Sequence, residues 1–370
     1  MQISAGSDWR NAIGAMPHAG KAVGLWLFSL AVMVYVMVVL GGLTRLTGSG
    51  LSMTEWQPFT LLPPLDDAGW HDLFGLYQAS PQYRLLNVGM DLAGFKDIFW
   101  LEYTHRLWGR LIGLVFLVPV AVFVWRGHLG RTDVPRLLAV FLLGGLQGVL
   151  GWLMVKSGLA DRPEVSHYRL ALHLLAALAI YGALLWSALN FLRPGAARAR
   201  HGRLGGVEGA LLILAVLVGL TIAAGALVAG LHAGLIYNSF PLMEGRVLPR
   251  SAFNLQPVWL NIFENLALVQ FDHRVLAMVT WLAAVSIWWW SRRLPLPRRA
   301  RLAVTLVPVV ATLQAGLGIS TLLLMVPIPL ASAHQGGAFL LFGVVLWAAH
   351  ETRGAHGDLI PRFRSAPTRP

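Results

Sequence analysis

The chain has no cysteine among its 370 residues. Disulfides and thiolate metal ligands are therefore excluded. Charge is scarce as well. Asp, Glu, Lys and Arg make up 12% of the chain, against about 25% in a soluble domain. Acids are the scarcer sign, 17 against 29 Lys and Arg, which leaves a net charge of +12. Such an excess invites a nucleic-acid partner, but its distribution argues for something else.

Hydrophobic residues fill the space that charge leaves, at 56%. A helix that crosses the hydrocarbon core of a membrane needs about 20 apolar residues. Eight stretches qualify, at about 23–43, 103–125, 136–155, 170–192, 208–230, 267–290, 302–325 and 332–350. They leave no room for a soluble domain, so the fold class is an all-α integral membrane protein. The first run is too long for the core of a signal peptide, and no small-residue cleavage site clearly follows it. We read it as a retained helix.

Charge then orients the helices. With the N-terminus taken as cytoplasmic, the inner segments are 1–22, 126–136, 192–207, 291–301 and 350–370. Eighteen of the 29 Lys and Arg lie in them, and only five of the 17 acids lie on that side. An inner surplus of Lys and Arg is the normal signature of orientation. Both termini are expected to be cytoplasmic, and no nucleic acid is needed to explain the charge.

The chain also repeats itself. Glu-Tyr-Thr-His-Arg at 102–106 resembles Gln-Phe-Asp-His-Arg at 270–274, and Leu-Gln-Gly-Val-Leu-Gly at 146–151 resembles Leu-Gln-Ala-Gly-Leu-Gly at 313–318. Gly-Leu at 50–51, eight residues before Pro58, matches Gly-Leu at 234–235, seven before Pro241. Order and spacing agree, which is how a repeat architecture shows itself. The reading is two four-helix units. An even number of helices returns each unit to its starting side, so the two run parallel, related by a pseudo-twofold axis near the membrane normal. The expected parts are a cytoplasmic tail 1–22, a first unit 23–192 with a long outer loop 44–100, a cytoplasmic linker 193–207, a second unit 208–350 and a tail 351–370. The outer loop is rich in Gly, Pro, Trp and Asp; residues 231–266 are its shorter counterpart. We expect a packed cover over the outer ends of the helices, with Trp56, Trp70 and Trp100 as headgroup-level anchors.

Four histidines stand near the outer ends of inward-running helices: His105 and His173 in the first unit, His273 and His334 in the second. An ionisable residue inside a membrane marks function by default, and imidazole is a common metal ligand. Each pair comes from the second and fourth helices of its unit, which can face each other across a bundle core. Axial ligation of haem iron fits this layout. The other histidines have no repeat partners. His18, His128, His201, His350 and His356 are expected to be solvated on the inner side. His71, His167 and His232 are expected to be ordinary outer-side residues.

Arg106 and Arg274 follow two of these histidines directly, and Arg45 and Arg110 lie near the same face. Carboxylates such as haem propionates suit Arg. The alternatives are Asp97, Asp272 or lipid phosphate. Glu102 breaks the repeat, because its counterpart is Gln270. A carboxylate can move a proton and an amide cannot, so Glu102 assigns chemistry to the first unit, unless it merely pairs with a nearby Arg. Gln147 and Gln314 repeat, which suits a supporting role.

These residues carry a resemblance to the haem A synthase family, in its proteobacterial and mitochondrial branch. The stretches are Gly-Gly-Leu-Thr-Arg-Leu-Thr-Gly-Ser-Gly-Leu-Ser at 41–52, Glu-Tyr-Thr-His-Arg at 102–106, the helix with His173, Asp-His-Arg at 272–274 and Ala-His-Gln at 333–335, and the likeness runs from about residue 20 to 350. Some bacterial members carry a cysteine pair in the first outer loop; this chain has none. The resemblance implies oxidation of a pyrrole methyl group of haem O, through successive hydroxylations and dehydration, to the formyl group of haem A, for cytochrome c oxidase biogenesis. It implies a substrate haem on His105 and His173 with Glu102 catalytic, and a resident haem b on His273 and His334. It further implies a bacterial cytoplasmic membrane with the haem sites near the periplasmic face. A haem O synthase and oxidase assembly factors are expected partners beside the membrane lipid, together with an electron acceptor that no motif specifies. Two rivals remain at this point, a b-type cytochrome that only carries electrons and a haem-handling transporter or chaperone. Four ligands at one depth, one per helix, argue against a wire across the membrane, and a haem transporter or chaperone would need no Glu102.

Overall fold

A computed structural model describes residues 17–55, 62–159, 165–194 and 206–353. Trp56, His201, His356 and the side chain of His18 fall outside the described residues. Among the described residues there are no strands, and eight helices are long and apolar enough to cross a membrane. They are α1 (Pro17–Leu46), α4 (Leu92–Trp125), α5 (Asp133–Gly158), α6 (His167–Leu192), α7 (Val207–Gly230), α9 (Leu266–Ser291), α10 (Arg298–Leu323) and α11 (Ile328–Glu351). Three shorter helices lie in the loops: α2 (Asp67–Gln78), α3 (Pro81–Leu85) and α8 (Asn261–Glu264). Membrane-spanning backbone must satisfy its own hydrogen bonds, which is why every apolar run becomes a helix. The protein is an all-α, multi-pass membrane protein.

Neighbours follow the same order in each set of four. Helix α1 packs against α4 and α6, and α6 packs against α5; α7 packs against α9 and α11, and α10 against both α9 and α11. The second and fourth helices of each set, α4 with α6 and α9 with α11, stand across from each other with little direct packing. The two sets meet where α6 packs on α7, α1 on α11, and α6 on α11. Small residues let these helices approach. Gly343 lies under the Tyr181 hydroxyl, and Gly336 under that of Tyr35. The principal core, with Leu27, Leu184, Leu211 and Phe339, sits at this junction.

Helix α4 departs from expectation. It begins at Leu92 rather than near 103, capped by the Asp91 carboxylate, which accepts from Gly94 N at 2.8 Å. Lys96, Asp97 and Glu102 disguise this extension as loop. Three of the four aromatics over 92–103 turn inward, and the fourth, Trp100, is 44% exposed. Phe95, Phe99 and Tyr103 pack with Trp70 and Tyr77 of α2 in a second, smaller core. Part of the long loop, chiefly α2 with Tyr83 and Met90, thus packs against the start of α4, while Leu62, Leu65, Leu85, Leu86 and Val88 stay exposed. Trp70 is not a headgroup anchor: it is 8% exposed, edge-on to Phe99 with a ring spacing of 4.9 Å. His105 is also not near its helix start. It lies thirteen residues in, about 20 Å along the axis, while His173, His273 and His334 lie six or seven residues into theirs.

The inner side holds a further correction. His350 is fully buried and contacts Asn190 Oδ1 through Nε2 at 3.1 Å. Arg193 pairs with Glu351 at 3.0 Å, and Arg353 with Glu208 at 3.4 Å. These bonds tie α11 to α6 and α7 at their inner ends, so His350 is a structural residue of that junction rather than a solvated one.

Candidate functional site

Each of the four histidines lies against a glycine of the preceding long helix. A Cβ on Gly41 of α1 would stand 3.1 Å from His105 Nε2, and one on Gly225 of α7 would stand 2.9 Å from His273 Cε1. On the other side of each set, a Cβ on Gly151 of α5 would stand 3.7 Å from His173 Cε1, and one on Gly318 of α10 would stand 2.7 Å from His334 Cε1. Any larger residue at Gly225 or Gly318 would push the ring away. The sequence held this signal in the final glycine of its repeated Leu-Gln-x-x-Leu-Gly, but reading the histidines alone missed it.

The second set is closed around its pair. The rings of His273 and His334 are 6.3 Å apart between centroids and nearly perpendicular, at 84°. Nδ1 of His273 contacts the Thr221 carbonyl at 3.1 Å. The Gln314 amide lies 3.0 Å from His334 Nδ1 and donates to the His334 carbonyl at 2.8 Å. The Thr221 carbonyl can only accept, so Nδ1 of His273 carries the proton and its Nε2 lone pair is left for another partner. Fixing one ring nitrogen is how proteins orient a ligand histidine. The spacing fits one metal ion between the rings, since metal–imidazole bonds are about 2 Å each. The donor set fits haem iron, which proteins hold with axial imidazoles.

The first set is looser. Gln147 donates to the His173 carbonyl at 2.9 Å, as Gln314 does to that of His334. Gln147 Oε1 and Gln314 Oε1 are both buried with no hydrogen-bond partner, but in the first set His173 Nδ1 is unpartnered as well. Buried polar atoms of this kind call for an explanation such as a ligand.

Above both pairs, an arginine straps the outer loop to its helix. Arg106 donates to the Met53 carbonyl at 2.9 Å and to that of Glu55 at 3.0 Å. Arg274 donates to the Tyr237 carbonyl at 2.7 Å and to that of Ser239 at 2.9 Å. The residue one turn earlier completes each strap. Glu102 is 2% exposed and accepts from Arg106 at 2.6 Å, from Ser52 Oγ at 2.7 Å and from Met53 N at 2.9 Å. Gln270 accepts from Arg274 at 3.0 Å and donates to the carbonyls of Ala233 and Ile236. The partners of Arg106 and Arg274 are therefore Glu102 and Gln270, not Asp97 or Asp272. Arg45 donates to the Ala229 carbonyl at the outer end of α7, and Arg110 lies one turn inward of Arg106 on α4. His167 and His232 line a separate cleft between α6 and α7 with Arg169, and His71 is exposed on α2.

The comparisons with known proteins agree with this arrangement. The family model for the COX15-CtaA cytochrome oxidase assembly protein matches residues 24–346. The chain belongs to that family. Among curated relatives, the haem A synthase of Nitrosospira multiformis is 48% identical over 334 residues, covering 90% of this chain and 94% of the relative. The haem A synthase COX15 of Bos taurus is 45% identical over 342 residues, covering 90% of this chain and 83% of its own. That of Arabidopsis thaliana is 42% identical, covering 93% and 77% respectively. Family membership thus spans both four-helix sets, the straps and all four histidines.

Proposed function

We propose that the chain is a haem A synthase. It oxidises a pyrrole methyl group of haem O, by successive hydroxylations and dehydration, to the formyl group of haem A. The observation that carries this reading is the pair of matched histidine sites, each built on glycine and roofed by a strapped loop, in a chain of this family. An electron-carrying cytochrome or a haem chaperone would have no use for a difference between the two halves.

That difference assigns the work. The unit 23–192 takes substrate haem O between His105 and His173, and the unit 208–350 keeps a haem b between His273 and His334. The ring spacing of the second pair and the held Nδ1 of His273 support permanent occupancy. The unpartnered Nδ1 of His173, against the held Nδ1 of His273, supports a site that fills and empties. The matching neighbour order of the two sets supports a pseudo-twofold axis passing between α6 and α11.

A bound haem b supplies one-electron transfer. The chain's own residues do the rest. The histidine pairs would hold the haems, and the straps fix the loops beside them. Glu102 is the carboxylate that distinguishes the first site, set in place by Arg106, Ser52 and Met53. Nε of Arg274 is buried without a protein partner and would be available to a propionate; Arg106, Arg45 and Arg110 are the further candidates. The sites face the periplasm of a bacterial inner membrane with both termini cytoplasmic. A haem O synthase upstream and oxidase assembly factors downstream complete the route. Expression beside a source of haem O tests the reading. Haem A in the extracted pigment supports it; a cell extract with haem O and haem b alone rejects it.

A further inference from the structure

The first four helices leave a gap that the second four close. Helices α9 and α10 pack along their length, whereas α4 and α5 approach each other at few points. Burial records the same contrast. Helix α10 buries Ala300, Ala303, Val304, Val307, Pro308 and Ala311, while α5 buries only Leu137 and Gly158, near its two ends.

The gap leads to the first histidine pair. Gly144, Gln147, Gly148 and Gly151 are spaced three and four apart, so they share one face of α5. Gln147 bonds the His173 backbone and Gly151 lies against its ring, which turns that face toward the site. A Cβ on Gly144 or Gly148 would meet nothing within 4 Å, and the same holds for Gly113 on α4. Both α5 glycines are exposed. Their counterparts in the repeat are Ala311, buried, and Ala315, half-buried. At the end of the gap sits the unpartnered Nδ1 of His173, whereas Nδ1 of His273 in the closed set contacts the Thr221 carbonyl.

We propose that the space between α4 and α5 is a doorway from the membrane to the first haem site, and that it holds the isoprenoid chain of haem O. The inference rests on the haem A synthase reading. Haem O differs from haem b by a long isoprenoid substituent, an apolar chain that partitions with lipid rather than water. A doorway walled by glycines and open to hydrocarbon accepts such a chain at no cost in buried polar groups. A substrate and its product must pass in and out, so the first set is open. A resident cofactor stays, so the second set is closed.

Plugging the doorway tests it. Purified protein carrying its resident haem is titrated with haem O, and separately with haem b, which lacks the isoprenoid. The Gly148→Phe variant is expected to bind haem O at least tenfold more weakly than wild type. Its KM for haem O should rise to match, while the resident haem spectrum stays unchanged. Wild type is expected to prefer haem O to haem b at the first site. A Gly148→Phe protein that binds haem O as tightly as wild type overturns the doorway. So does loss of the resident haem together with haem O in both Gly144→Phe and Gly148→Phe. Wild-type protein that binds haem O through the doorway yet makes no haem A would instead reject the enzymatic reading alone.

Discussion

Arg106 and Arg274 grip equivalent carbonyls of two different loops. Met53 and Glu55 stand 184 positions before Tyr237 and Ser239, and each arginine binds one such pair. The same offset relates Gly41 to Gly225 beneath the histidines, and Gly48 to His232, both left-handed at φ 67° and 54°. The two halves therefore repeat in backbone and hydrogen bonds. The departures from the repeat are then the places to look for a difference in work.

Removing a strap should loosen the roof of its own site. An arginine that donates to two carbonyls and an amide contributes about 3 kcal/mol, given roughly 1.5–3 kcal/mol per charged hydrogen bond and partial compensation by water. Arg274→Ala is expected to release resident haem b at a lower temperature than wild type. Arg274→Lys should recover only part of the loss, since an ammonium lacks the planar fork. Haem release followed by absorbance during heating checks both.

Glu102 sits among donors. Arg106, Ser52 Oγ and Met53 N all point hydrogens at its two oxygens. An amide there would turn its own NH2 toward one of them. Glu102→Gln is therefore expected to keep resident haem b but to cut conversion of haem O at least tenfold. Ser52→Ala should cut it less, because Arg106 and Met53 N remain. Conversion by Glu102→Gln at the wild-type rate would remove Glu102 from the chemistry.

The glycine cradle makes a sharper forecast. A single methyl on Gly318 would stand 2.7 Å from His334. Overpacking of this order costs about 1–3 kcal/mol. Gly318→Ala should lower haem b occupancy and alter its spectrum. Gly113→Ala, where a methyl meets open space, should leave both as they are. Pigment per mole of purified protein separates the two.

Orientation is open to a direct check. A fluorescent reporter fused after residue 370 should mature, and an exported phosphatase fused there should stay inactive. The opposite pattern would invert the charge argument and move the haem sites to the cytoplasmic face.

Much of this was legible in the chain. Eight apolar runs became eight long helices because lipid leaves the backbone no alternative. The histidines and glutamines were readable because they recur at nearly fixed spacing in the two halves. What escaped has a physical reason in each case. The outer third of α4 hid behind Lys96 and Asp97, since its apolar face meets α2 and not lipid. His350 resembled a solvated tail residue, and only tertiary packing brings Asn190 to it. The straps end on backbone carbonyls, which every residue carries and no motif marks. The open α4–α5 face is likewise a relation between helices, of which the sequence records only the glycines.

The division of labour is tested most directly by the pigment of two variants purified side by side. His273→Ala is expected to emerge without resident haem b, whereas His105→Ala should retain it at the wild-type level and fail only to convert haem O. Equal loss of haem b from both proteins would contradict the assignment of one haem to each half.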